Sequence, residues 1–365
     1  MSFWICLTVV YFLLAAVSTK LKEKDNLLLE ICAIFLVWFV TSFRNHLGWD
    51  FDSYVYMYYI SSNSLVFDYA EPSLKYIIIL LRDFGFTYQM LFVVYSSLTY
   101  LFFVMGINNY LKYSYQRINA IALYFVCESL FFWTCGTIRQ MLAVSIVFFA
   151  YQYILNKNKK NFVLFVMLAT FFHYSAILFL GLYFMPMKKY ELKIYVLIFV
   201  FAIVLHSAEI FKILFDNLSG FAFSDVNMKY VNYLSNSNDL SLYYSSTILI
   251  NVIIFFACYK ELKKDENPDA SAFLNISSLF IGYSILTVDI STLYRLRSYF
   301  SIFFIIMIVQ EFSKHRKWGM SLVVIIYGIE LLWNIYQTGQ SPVGAMHPSI
   351  SANNIEFMCN FDLIE

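Results

Sequence analysis

Charge is scarce in this sequence. Only 13% of its 365 residues are Asp, Glu, Lys or Arg, about half the share in an ordinary water-soluble domain, while 61% are apolar. That balance excludes a soluble fold and predicts an all-α polytopic integral membrane bundle. The formal net charge is +1, with no basic tail or acidic run, so no nucleic-acid partner is expected. The six cysteines form no CxxC pair and no zinc spacing. Cys6, Cys32, Cys127 and Cys258 fall inside apolar runs as small core residues, whereas Cys135 and Cys359 could meet on one side of a membrane. Repeats, heptads and soluble domains are absent too, so one membrane domain over 1–365 is expected. The N-terminal run "FWICLTVVYFLLAAV" lacks a basic leader and a small-residue cleavage site, and is expected to stay as a first span.

What is present is a series of apolar runs. A spanning helix needs about 20 such residues, and shorter ones suffice where the bilayer thins. Ten runs qualify or nearly do: 3–18, 27–43, 87–107, 118–134, 138–155, 191–206, 241–258, 271–290, 298–313 and 318–336. The stretch "NFVLFVMLATFFHYSAILFLGLYFM" (161–185) reads either as one long span or as two short helices hinged at His173. Charge decides between them. Clusters at Lys20–Lys24, Lys112–Arg117, Lys157–Lys160, Lys188–Lys193, Lys260–Lys264 and Lys314–Lys317 all fall on the inner side only if that stretch crosses twice. About twelve spans follow, with both termini outside and outer segments at 44–86 and 207–240.

This topology separates lysine from arginine. The six inner clusters hold 17 of the 25 basic residues, yet only Arg117 and Arg316 among them are arginine. Arg44, Arg82, Arg139, Arg295 and Arg297 stand in the spans or on the outer side, where topology has no use for positive charge. A planar guanidinium binds phosphate oxygens in a bidentate fork, so these arginines point to an anion.

The outer segment "RNHLGWDFDSYVYMYYISSNSLVFDYAEP" (44–72) carries Arg44, His46, Asp50, Asp52, Tyr54, Asp68 and Glu71 amid aromatics suited to an interfacial belt or to stacking on sugar rings. The following "SLKYIIILLRDFGF" is too short to span and fits a helix lying in the outer interface, with Pro72 in its first turn. "TCGTIRQMLAV" places Arg139 and Gln140 in the first turn of a span, where a charge needs a partner or a wet cavity and where a helix N-terminus favours an anion. His173 is a natural proton carrier at neutral pH. Arg295 and Arg297 sit at a short outer turn, in "YRLRSYF". Each has a plainer reading: a solvated loop for the acids, snorkelling for Arg139, a carbonyl partner for His173, headgroup anchoring for the last two arginines.

Four of these stretches together resemble the EpsG type of Wzy-like oligosaccharide repeat-unit polymerases. "FRNHLGWDFDSY" is similar to that family's Arg…Gly-x-Asp-x-x-x-Tyr segment and "EPSLKYIIILLRDFG" to its Glu-Pro segment. "IRQMLAVSIVFFAYQYILNKNKKNFVLFVMLATFFHYSAILF" resembles its Arg-Gln helix followed by His-x-Ser-Ala, and "YRLRSYF" its late arginine motif. Ser73 stands where the family has glycine, and Phe51 where it has tyrosine. The resemblance implies a GT-C-like fold and a bacterial inner-membrane glycosyltransferase. Such an enzyme joins undecaprenyl-diphosphate-linked repeat units of O antigen or a related polysaccharide at the periplasmic face, alongside membrane lipid and a chain-length regulator.

That chemistry needs cations for the departing diphosphate, a base for the acceptor hydroxyl and a cleft open to lipid. The expected assignment gives Arg139, Arg295 and Arg297 to diphosphate, with Gln140, Asp52 and Tyr54 as further substrate contacts. Arg44 assists or orients a carboxylate, His173 or Asp50 is the base, and Glu71 is held in reserve; the 207–240 loop covers the sugar channel. "DFD" at 50–52 is formally a DxD metal motif, but arginines can neutralise diphosphate, so no metal or other cofactor is expected. An O-antigen ligase, a membrane O-acyltransferase and a lipid-linked oligosaccharide flippase are the competing readings.

Overall fold

The computed structural model describes residues 2–60, 71–127, 130–210, 240–262, 268–288, 291–315, 317–340 and 356–357. Asp68, Cys359 and most of the 207–240 loop lie outside them. The described chain is almost entirely helical. Its strands are two residues each, Arg44–Asn45 (β1) and Glu356–Phe357 (β2), paired antiparallel.

Six helices among the described residues are long and apolar enough to cross a membrane, and a seventh span arises if one bent pair counts as one. Three shorter apolar helices accompany them, at Ser2–Ser18, Tyr174–Phe184 and Leu192–Ser207. This is a multi-pass membrane protein. The first helix, α1 (Ser2–Ser18), shows the logic: Trp4, Leu7, Tyr11, Ala15 and Ser18 recur every three or four residues on a buried face. Ile5, Val9, Val10, Leu13 and Val17 are exposed, and such an apolar outer surface is stable only against lipid.

The chain divides into two compact units, residues 1–183 with 313–365, and 184–312. In the first unit, α2 (Glu23–Ser42) leads through β1 to α3 (Phe51–Tyr59), and then come α4 (Pro72–Asp83) and α5 (Gln89–Tyr110). Arg82 donates through Nη1 to the Ile60 carbonyl at 2.9 Å, which ties the end of α4 to the end of α3. The run expected as one span at 118–134 comprises α6 (Ser114–Val126) and α7 (Leu130–Gly136), bent by 63° and together apolar enough to cross as one broken span. All of α7 is buried. Then α8 (Ile138–Ala150), α9 (Gln152–Leu155) and α10 (Lys159–Phe172) follow. The Ile138–Leu155 span is 78% buried, and α5 and α10 pack along it, so it forms the centre of this unit.

The 161–185 stretch breaks at His173. That residue ends α10 with extended backbone (φ −153°, ψ 119°), and Tyr174–Phe184 continues as a 3-10 helix. Its buried residues Ala176, Phe179 and Leu182 recur every third position, as the three-residue turn requires.

The second unit has α11 (Leu192–Ser207), α12 (Leu240–Glu261), α13 (Pro268–Thr287), α14 (Ser291–Tyr294), a 3-10 turn at Arg295–Arg297 and most of α15 (Ser298–His315). Asn275 organises it: Nδ2 donates to the carbonyls of Pro186 and Lys188, and Oδ1 accepts from the Tyr195 hydroxyl at 2.7 Å. Lys189 donates to the carbonyls of Tyr259 and Leu262 at the end of α12, where a cation matches the helix dipole. The last helix, α16 (Lys317–Gln340), packs on α1 in the first unit.

Candidate active site

The turn after α2 is shaped by close approach. Gly48 has φ +110°, and a β-carbon there would lie 2.1 Å from the Cys135 carbonyl oxygen. Trp49 packs edge-on against Trp133 with centroids 4.6 Å apart. A β-carbon on Gly136 would meet the Trp49 indole at 2.4 Å. The "LGWD" turn is thus seated on the α7–α8 break, where Arg139 begins the central helix. Cys135 is a buried free thiol in this packing.

Glu71 and Pro72 fix the next piece. Proline suits the first turn of a helix and holds its predecessor extended, and Glu71 caps α4 at φ −61°, ψ 142°. Its carboxylate is buried, at 5% side-chain exposure. Oε2 accepts from Nη1 of Arg139, and Oε1 lies 2.5 Å from Nδ1 of His173. Burial alone would raise the Glu71 carboxyl. The hydrogen bond from His173 and the charge of Arg139 outweigh it and hold the group below the usual range.

Glu71 is therefore an ionised acceptor at neutral pH, and Nδ1–H of His173 donates to it. The His173 side chain is 26% exposed. Arg139 is held a second time by Tyr54, whose hydroxyl lies 3.4 Å from Nε and whose ring centre is 5.7 Å from Cζ. Burial raises the Tyr54 phenol, so it stays neutral beside the cation. The Arg139 side chain keeps 21% of its surface exposed. Tyr95 and Ser73 are buried beside this group. Tyr95 stands inside an apolar run, which gives no signal of a site residue.

The structure thus gathers four of the expected residues, Tyr54, Glu71, Arg139 and His173. Gln140 is buried next to Arg139. Asp50 heads α3, half-buried, close enough for its charge to act on Tyr54. Asp52 faces outward at 77% exposure, 3.0 Å from Nδ1 of His46. Arg44 turns inward: Nε donates to the Leu47 carbonyl at 2.9 Å, Nη1 to that of Thr41, and Cζ lies 4.2 Å over the Phe92 ring. It braces the turn through backbone carbonyls rather than a carboxylate. Glu71, expected as a reserve base, has one oxygen on Arg139 and the other on His173. In the second unit, Arg297 is buried with Cζ 3.7 Å over the Tyr294 ring, and Arg295 is part-exposed.

The model of the EpsG family matches residues 27–347, a range that takes in every residue of this cluster. No curated protein and no solved structure matches the chain.

Proposed function

Because the chain belongs to the EpsG family, we propose that it is a polysaccharide polymerase joining lipid-linked oligosaccharide repeat units. The observation that carries this reading is one buried carboxylate bound at once to a guanidinium and an imidazole. In the proposed step the acceptor hydroxyl oxygen attacks the anomeric carbon of the donor glycan. Its proton passes to Nε2 of His173 as the bond from that carbon to the diphosphate oxygen breaks, and the polyprenyl diphosphate leaves. Glu71 keeps the imidazole in the tautomer that can accept the proton, the role a buried carboxylate plays beside other catalytic histidines. Arg139, part-exposed at the N-terminus of α8, supplies charge for the departing diphosphate.

The finer assignments follow the same reading. The donor and acceptor are undecaprenyl-diphosphate-linked repeat units. The active face is periplasmic in a bacterial inner membrane, and the chain crosses about twelve times in a GT-C-like arrangement with both termini outside. Arg295 and Arg297 keep the anion-binding role that arginine chemistry suggests, Asp50 is the alternative base, and a chain-length regulator is the expected protein partner. The reading is tested by reconstituting the purified protein in vesicles with lipid-linked repeat units as sole substrate. A ladder of polymers spaced by one repeat is expected. Transfer that requires lipid A core would make it a ligase, and consumption of an acyl donor an acyltransferase.

A further inference from the structure

Glu71 cannot give its full charge to two partners. With Oε2 paired to Arg139, the field it exerts on the Nδ1–H of His173 is partly cancelled. The same guanidinium is the group at this site best suited to a diphosphate. We propose that Glu71 is a positioning residue whose grip on His173 tightens when a donor diphosphate draws Arg139 away from it. Donor binding would then strengthen the Glu71–His173 hydrogen bond and make Nε2 a better proton acceptor only when there is a leaving group to depart. The inference rests on the polymerase reading for the identity of the ligand, but the exchange itself is a property of these three side chains.

The surroundings allow the exchange. Arg139 is held to Glu71 by one nitrogen and to Tyr54 by a 3.4 Å contact at another. Turning toward an anion therefore gives up one strong partner and gains another. The titratable groups that interact with Glu71 besides His173 are Tyr54 from α3, Tyr95 from α5 and Arg139 from α8; Asp50 acts on Tyr54. Arg139 is the cation among them, so its departure changes what Glu71 presents to the ring.

The test is a proton resonance. The protein is labelled with 15N-histidine, His173 is assigned with the His173→Gln variant, and its Nδ1–H is followed as inorganic pyrophosphate is added. A downfield shift, the mark of a stronger hydrogen bond, is expected in the wild type, and none in Glu71→Gln. The Arg139→Gln protein, without pyrophosphate, should already lie downfield of the unliganded wild type. Circular dichroism and thermal unfolding establish that each variant is folded. Coincidence of Arg139→Gln with the wild type overturns the inference whether or not pyrophosphate binds. So does an unmoved wild-type resonance, and so does an equal shift in Glu71→Gln, which would mean that the anion acts on the ring directly. Failure of the polymerase reading looks different: lipid-linked repeat units would not be elongated, whatever the resonance does.

Discussion

Nδ1 of His173 lies 2.5 Å from Oε1 of Glu71, although 102 positions separate them in the chain. Two chain breaks make that contact: the extended residue that ends α10 and the proline that starts α4. Neither break lies within a membrane-length helix, so both side chains are held at helix ends, where backbone geometry fixes them and the centre of the span is not disturbed. Arg139, at the start of α8, completes the arrangement by the same rule.

Ionisation of Glu71 should be visible in stability. Its folded-state carboxyl is held below the ordinary value, so its contribution is present above about pH 4.3 and is lost as pH falls through the depressed folded value. Thermal unfolding in detergent should therefore show a wild type more stable than Glu71→Gln at neutral pH, with the gap narrowing in acid. A gap that stayed constant from pH 7 to 3 would mean that the carboxylate is not the ionised partner of Arg139 and His173.

The seat of the "LGWD" turn is tested at Gly48. Alanine there must adopt φ +110° and place its β-carbon against the Cys135 carbonyl. The expected cost is on the order of 3 kcal/mol from backbone strain and overpacking together. It should appear as a lower unfolding temperature together with weaker polymer formation. An unchanged unfolding temperature would show that the turn does not sit on the α7–α8 break as closely as described.

Arginine at position 139 should not be replaceable by lysine. Arg139→Lys retains the charge and loses the fork that lets one side chain serve Glu71, Tyr54 and an anion, so polymer should fall at least about tenfold while membrane insertion persists. Lys212→Ala, outside this cluster's sequence motifs, should change little. Near-normal polymer from Arg139→Lys would reduce it to an interface anchor.

Much of this was legible in the sequence because it is written locally. Low charge and the apolar runs give a helical membrane protein, Glu71-Pro72 gives a helix start, and His173 was placed at a break. Other features depend on contacts between distant segments. Periodicity carries no information on which helix ends meet, so the convergence of Glu71, Arg139 and His173 was not readable. Arg44 reads as an outer cation but turns inward, because the carbonyls of Thr41 and Leu47 lie within its own turn. The bend between α6 and α7 carries no proline or glycine to mark it. Tyr174–Phe184 has the composition of an α-helix, and only the buried stripe at every third residue distinguishes the 3-10 form.

The central claim is that His173, oriented by Glu71, takes the proton from the acceptor hydroxyl. His173→Gln keeps similar size and some hydrogen bonding but cannot accept and release that proton. The decisive measurement is its initial rate of chain extension in reconstituted vesicles, with protein level and lipid-linked substrate binding measured on the same preparations. The account predicts normal abundance, normal binding and a rate lowered by at least about a hundredfold, the usual worth of a positioned base. Normal abundance with wild-type rate and chain length would contradict it and would leave Asp50 as the remaining base.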